Sequence, residues 1–179
     1  KGTGPGGMGS AHLGTLCQNK EVNIAYVCDG DERRAAKARA TAEKAKGKAP
    51  KVVGDMRRVF EDKSVDAVWI ATPDHWHAPA TILACDAGKH VYVEKPASHN
   101  LREGRLMVEA ARRNKRVVQV GTQTRSTEGI REAMEHLADG AIGEVLVAKA
   151  WNSQRRRSIG KNKPGTPPTH LDFDTWLGP

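Results

Sequence analysis

Residues 65–71 read Val-Asp-Ala-Val-Trp-Ile-Ala, a nearly unbroken apolar run that stops at Thr72-Pro73-Asp74. A strand this apolar suits the interior of a sheet that is covered on both faces. Helical stretches flank it. Asp31 can cap a helix running to about residue 46, Asp55 one through Phe60, and Asn100 one to about residue 114. Residues 78–87 form another helix, stopped by Gly88. A short helix is expected over 7–19 and a last one from Ser126 or Thr127 to about Ala138. Between them, 22–28, 51–53, 90–93 and 117–120 read as strands, and 143–151 alternates like a half-exposed strand. Strands separated by helices imply right-handed crossovers and a parallel sheet. The expected fold is α/β: a Rossmann-type doubly wound domain over 1–122. Residues 123–179 are then the beginning of a second, incomplete α/β domain for substrate and oligomerisation. A dinucleotide fold places an apolar strand before its glycine turn, and only Lys1-Gly2-Thr3 precedes that turn here. A chain truncated at both ends, or an incomplete gene product, is the expectation. From Asn152 onward the chain is polar, basic and proline-rich, with little periodicity.

The net charge of +8 can mean nucleic acid or an anionic cofactor or substrate. The chain has two Phe and two Tyr, and its basic run, Arg155-Arg156-Arg157 to Lys163, has no interleaved aromatic residues. That argues against a surface that stacks single-stranded bases, and no nucleic-acid partner is expected. The run reads as a solvated or substrate-facing loop. No apolar stretch is long enough to cross a bilayer, so no membrane partner is expected. A cytoplasmic place is expected, with an exported precursor left open because the true N-terminus is not visible. Cys17, Cys28 and Cys85 lack CxxC spacing and read as reduced structural thiols.

Gly4, Gly6 and Gly9 stand at GxGxxG spacing in Gly4-Pro5-Gly6-Gly7-Met8-Gly9. The first permits a tight turn, the second lets a diphosphate approach the backbone, and the third lets helix and strand pack closely. The following helix start, with Gly7 and Met8, offers free N–H groups to the phosphates. Asp29 ends the next strand about twenty residues further on. Its carboxylate can accept hydrogen bonds from the adenosine ribose, which favours NAD; Arg33 and Arg34 can instead hold the 2′-phosphate of NADP. The loop Thr72-Pro73-Asp74-His75-Trp76-His77 follows the most apolar strand, where an open sheet binds its ligands. Thr72, Pro73, His75 and His77 are candidate cofactor contacts, and Trp76 a candidate substrate contact. Two histidines two apart lack a suitably spaced third ligand, so no metal is expected. Glu94-Lys95-Pro96 ends a later strand. The Lys95 ammonium can bind a substrate hydroxyl and stabilise the alkoxide that develops as hydride leaves its carbon. Glu94 is a further candidate beside the cofactor. Gln123 can reach the nicotinamide carboxamide or the substrate, and Arg125 can hold the substrate; structural roles stand equally open for both.

These phrases carry a resemblance. The glycine turn, Ala71 to His77, Gly88-Lys89-His90-Val91-Tyr92-Val93-Glu94-Lys95-Pro96 and Val120-Gly121-Thr122-Gln123 occur in the order and spacing of the glucose–fructose oxidoreductase / inositol dehydrogenase family, Gfo/Idh/MocA. The closing Leu171 to Pro179 resembles a segment of many bacterial members. The resemblance implies NAD(P)-dependent oxidation or reduction of a hydroxyl or keto group on sugars, inositols and polyols. It gives Lys95 the role of substrate-binding and proton-relay residue, and it implies a homo-oligomer at full length. A cis Lys95–Pro96 bond is also expected on this ground. The family's general acid/base falls beyond residue 179, and His170 lies too early to supply it. A glycoside-cleaving relative and a non-catalytic nucleotide-binding module are the alternative readings.

Overall fold

Helix α2 (Glu32–Lys46) shows how the chain builds its layers. Asp31 caps it by accepting the backbone N–H groups of Arg33 and Arg34, and Gly47 ends it in the left-handed region at φ 71°. Glu32 in the first turn and Lys44 and Lys46 in the last complement the helix dipole. Ala35, Ala38 and Ala42 form its buried stripe. Side chains this small let the helix lie close to strand β1 (Tyr26–Cys28), where Val27 completes the cluster. Helix α1 (Gly7–Gln18) adds Leu13 to the same cluster. These elements come from the computed structural model, which describes residues 7–151, 158, 160–161 and 163–178.

The chain then runs through β2 (Lys51–Val53), α3 (Arg57–Glu61), β3 (Ala67–Ile70), α4 (Asp74–Asp86), β4 (His90–Glu94), α5 (Leu101–Arg113), β5 (Val118–Gly121), α6 (Glu128–Ala138) and α7 (Phe173–Leu177). All strand pairings are parallel, β1 with β2 and β3 with β4 with β5. This is the Rossmann-type α/β arrangement, with each strand reached by a helical crossover. The main core lies between β3–β5 and the helices α4 and α5. Val91, Val93, Ala84, Cys85, Met107 and Ala110 are buried there. Asn100 caps α5 by accepting the Glu103 N–H.

Several boundaries differ from the sequence reading. Among the described residues the strands form two sheets, β1-β2 and β3-β4-β5. A doubly wound sheet has one further strand between these halves. Here that place is an apolar slot of about 470 Å³, bordered by Tyr26, Cys28, Phe60, Val68 and Ile70. Among the described residues β3 pairs on one side, with β4, and Trp69 is 45% exposed. The expected full coverage of residues 65–71 is therefore not observed. Helix α4 begins at Asp74, four residues early, because Pro73 (φ −57°, ψ 153°) supplies an extended entry directly before it. Among the described residues, 143–151 contains no strand, and its side chains are exposed.

The chain divides into two compact units, Lys1–Gly121 with Pro167–Pro179, and Thr122–Thr166. The sequence reading assigned all of 123–179 to the second domain. The closing segment belongs instead with the first unit, because its backbone pairs there: Leu171 bridges Asp31, and Asp172 N–H donates to Gly30 O at 2.9 Å. Among the described residues no helix is long and apolar enough to cross a membrane.

Candidate active site

The C-terminal ends of β3 and β4 and the first turn of α1 border one cleft of about 790 Å³. Helix α1 contributes Gly7 and Met8. Its first turn has no acidic residue, so nothing there opposes an approaching anion. Gly9, half-buried on α1, does not border the cleft, and Gly4 and Gly6 lie outside the described residues.

The second wall is the loop after β3. Thr72 and Pro73 border the cleft. The Thr72 hydroxyl is buried and has no hydrogen-bond partner among the described residues. An orphaned buried hydroxyl is costly, so its presence at a cleft wall suits a polar ligand. His77, 1% exposed, also borders the cleft. Its Nε2 lies 2.9 Å from Thr72 O and its Nδ1 faces Pro96 O, joining the loops after β3 and β4.

The third wall is Glu94-Lys95. Glu94 is 4% exposed. Its Oε1 accepts from His12 Nε2 at 2.7 Å, and its Oε2 accepts from the Lys95 backbone N–H at 3.2 Å. The same carboxylate thus ties helix α1 to the peptide that presents Lys95. The Lys95 side chain is exposed on the cleft, and the Lys95–Pro96 bond is cis. Beneath Glu94, His12 meets Tyr92 edge-on at 5.1 Å and Tyr92 stacks on Trp69 at 4.8 Å. Burial, with the Glu94 charge adding to it, pushes the Tyr92 phenol up. Gly121 closes this packing. A Cβ there would come within 2.6 Å of the Tyr92 hydroxyl and 2.9 Å of Glu94 Oε1.

The structure separates some of the expected residues. Asp29, 4% exposed, ends β1 and borders the slot, which shares Ala71 and Thr72 with the cleft. Its Oδ1 accepts the Asp31 N–H at 2.9 Å. Beside it, burial first and then the charges of Asp29 and Asp55 push the Cys28 thiol up to about 12. Trp76 also borders the slot, and its indole N–H donates to Thr175 O at 3.0 Å. Gln123 and Arg125 are exposed residues of the second unit. Conversely, Arg34, His99 and Trp176 border the cleft without having been singled out for it by spacing, although Arg34 was weighed for a 2′-phosphate. His12 has no motif, and the partners of His12 and Trp176, 82 and 101 residues away, exist only in the fold.

The cleft's dimensions, its orphaned hydroxyl and an unopposed helix N-terminus fit a dinucleotide, with Gly7, Met8, Thr72 and Glu94 placed to hold it. Comparison with known proteins agrees. Residues 2–122 match a family model described as an oxidoreductase family with an NAD-binding Rossmann fold, GFO_IDH_MocA. The chain is 36% identical to inositol 2-dehydrogenase 2 of Saccharopolyspora erythraea over 146 residues, 80% of this chain and 42% of that protein. The WlbA dehydrogenase of Bordetella pertussis, solved with NADH and UDP-GlcNAcA, superimposes with a TM-score of 0.65 at 25% identity, covering 76% of this chain and 38% of that one. The myo-inositol 2-dehydrogenase of Lactobacillus plantarum shares the fold with a TM-score of 0.72 at 23% identity, over 80% of this chain and 41% of that one. The chain thus spans less than half the length of each of these relatives, and across that length it belongs to the Gfo/Idh/MocA oxidoreductase family, in its NAD-binding Rossmann part.

Proposed function

We propose that this chain forms the cofactor-binding part of an NAD(P)-dependent oxidoreductase. The enzyme moves a hydride between nicotinamide and a hydroxyl or keto carbon of a sugar, inositol or related polyol. The observation that carries this reading is that Lys95 and the first turn of α1 border the same cleft. A relative named as an inositol dehydrogenase supports the polyol class.

Nicotinamide, when bound, supplies the site that accepts or gives the hydride. The residues of this chain bind, orient and move protons. The N–H groups at the start of α1, at Gly7 and Met8, take the diphosphate. Asp29 takes the adenosine ribose, which favours NAD over NADP. Thr72, Pro73 and His75 line the path between. The Lys95 Nζ donates a hydrogen bond to the substrate oxygen and holds negative charge there as the C–H bond breaks. Glu94 and His12 fix the Lys95 peptide. The unit of Lys1–Gly121 with Pro167–Pro179 is the cofactor domain in this reading, and Thr122–Thr166 begins the substrate domain. Exposed Ile142, Leu146 and Trp151 in the second unit support burial against a larger domain or a second subunit, in keeping with a homo-oligomer.

The test is Lys95→Ala in the full-length enzyme. A positioned proton-transfer group contributes about 10²–10⁴-fold, so kcat/KM should fall by about that factor while NADH affinity stays within about twofold. Unchanged turnover would remove the catalytic reading and leave a nucleotide-binding module.

A further inference from the structure

The chemistry above leaves residues 170–178 without a role, although they are anchored at two distant places. One end is tied to the turn after β1. Glu32 N–H donates to His170 O at 3.0 Å, Leu171 bridges Asp31, and Asp172 N–H donates to Gly30 O at 2.9 Å. The other end is tied to the loop after β3. The Trp76 indole N–H donates to Thr175 O at 3.0 Å, and His75 Nε2 donates to Trp176 O at 3.1 Å. The short helix α7 between them is locked by Asp172, whose carboxylate accepts both the N–H and the hydroxyl of Thr175. Gly178 lets the segment end against Trp76. Its φ is 75°, and a Cβ would come within 2.7 Å of the Trp76 indole nitrogen. Phe173 stacks on Trp176 at 5.7 Å, and the Trp176 ring meets His75 edge-on at 6.3 Å. The segment therefore spans from the Asp29 turn to the Thr72–His75 loop, and Trp176 stands in the cleft wall beside Met8, Arg34 and Lys95.

We propose that residues 170–178 are a clasp over the dinucleotide, with the Trp176 side chain as its contact surface and its carbonyl as the positioning partner of His75. This rests on the cofactor reading above. A rigid aromatic ring offers a planar nucleotide a large apolar surface at small entropic cost. One end is hydrogen-bonded to His75 in the cleft wall and the other to the turn that follows Asp29, the residue proposed for the adenosine ribose, so a cofactor reaching from one to the other also holds the clasp closed.

The test uses the complete chain and NADH as probe. Calorimetric titration should show Trp176→Ala weakening NADH binding about tenfold, with Trp176→Phe staying within about twofold of the unaltered chain. Chymotrypsin cleaves after Phe173, Trp176 and Leu177, and saturating NADH should slow that cleavage several-fold in the unaltered chain, a readout that a purely structural tryptophan would not move. If Trp176→Ala does not fold, Trp176→Phe and the protection experiment decide. Binding by Trp176→Ala equal to the unaltered chain, or cleavage indifferent to NADH, overturns the clasp alone. Absence of NADH binding by the unaltered chain overturns the clasp and the cofactor reading together.

Discussion

Glu94 carries two loads that its neighbours in sequence do not reveal. It lies one residue before the lysine proposed for proton handling, and His12 on α1 holds its Oε1. Taking away His12 removes a hydrogen bond from a carboxylate that is 4% exposed. Such losses cost about 1–3 kcal/mol, because the buried acceptor loses its compensation. His12→Ala is therefore expected to lower Tm by several degrees, since about 1 kcal/mol moves a chain of this size by about 2–4 °C. His12→Gln, which keeps an N–H donor, should recover most of the loss. Equal Tm values for His12→Ala and the unaltered chain, measured by circular dichroism, would show that the contact carries no stability. Lys95 was legible in the sequence because a strand end followed by proline is a local pattern. His12 was not, because a histidine on a helix has no signature until the fold brings up its partner.

Single elements are joined by a few side chains, and Asp62 is one of them. Its Oδ2 accepts from the Tyr26 hydroxyl at 2.7 Å and its Oδ1 from the Ser64 N–H and hydroxyl. Its carbonyl accepts from the buried Lys89 ammonium. It thereby ties β1 to the turn before β3 and to the start of β4. The Ser64 hydroxyl first, then Tyr26, hold its carboxyl well below the usual carboxylate range. Asp86, held down chiefly by Arg113, shifts the same way. A carboxyl lowered by folding adds stability that is complete above its unfolded pKa, about 3.9, and is lost as pH falls toward the folded value. Tm should be level above about pH 5 and drop below about pH 4. Asp62→Asn should make that acid-side drop shallower; superimposable pH profiles would assign it to the other carboxylates. Caps at Asp31 and Asn100 were readable in advance because they act within one turn. Helix α7 was not, since its five residues are held by Asp172, Trp76 and the turn after β1 and not by helical periodicity.

At the scale of the whole molecule, the open feature is the slot between the two sheets. Two strand edges, β1 and β3, face it with apolar side chains. Among the described residues these edges are unpaired, and such edges are sites of strand addition and aggregation. A chain lengthened ahead of Lys1 by an apolar strand of about five residues is expected to melt several degrees higher and to bind less of an apolar dye such as ANS. Unchanged dye binding would mean that the added residues do not enter the slot. The second unit exposes Leu146 at 80% and Trp151 at 78%, so its apolar residues are not satisfied by its own fold either. Alternation of strand and helix made the doubly wound class readable. It did not reveal the split sheet, because period and composition describe each segment and not what lies beside it.

The sequence alone determined the parallel α/β class and the cofactor class, and it pointed to the lysine after β4 as the residue to test. Each rests on local constraints: the two periodicities, glycines where backbone must come close, and a charged group at a strand end. Tertiary structure decided the rest. It brought His12 to Glu94, assigned Trp76 and Asp29 to the slot and its margin, and folded residues 170–178 back onto the first unit. These depend on contacts between residues far apart in the chain, and no short window of sequence contains both partners.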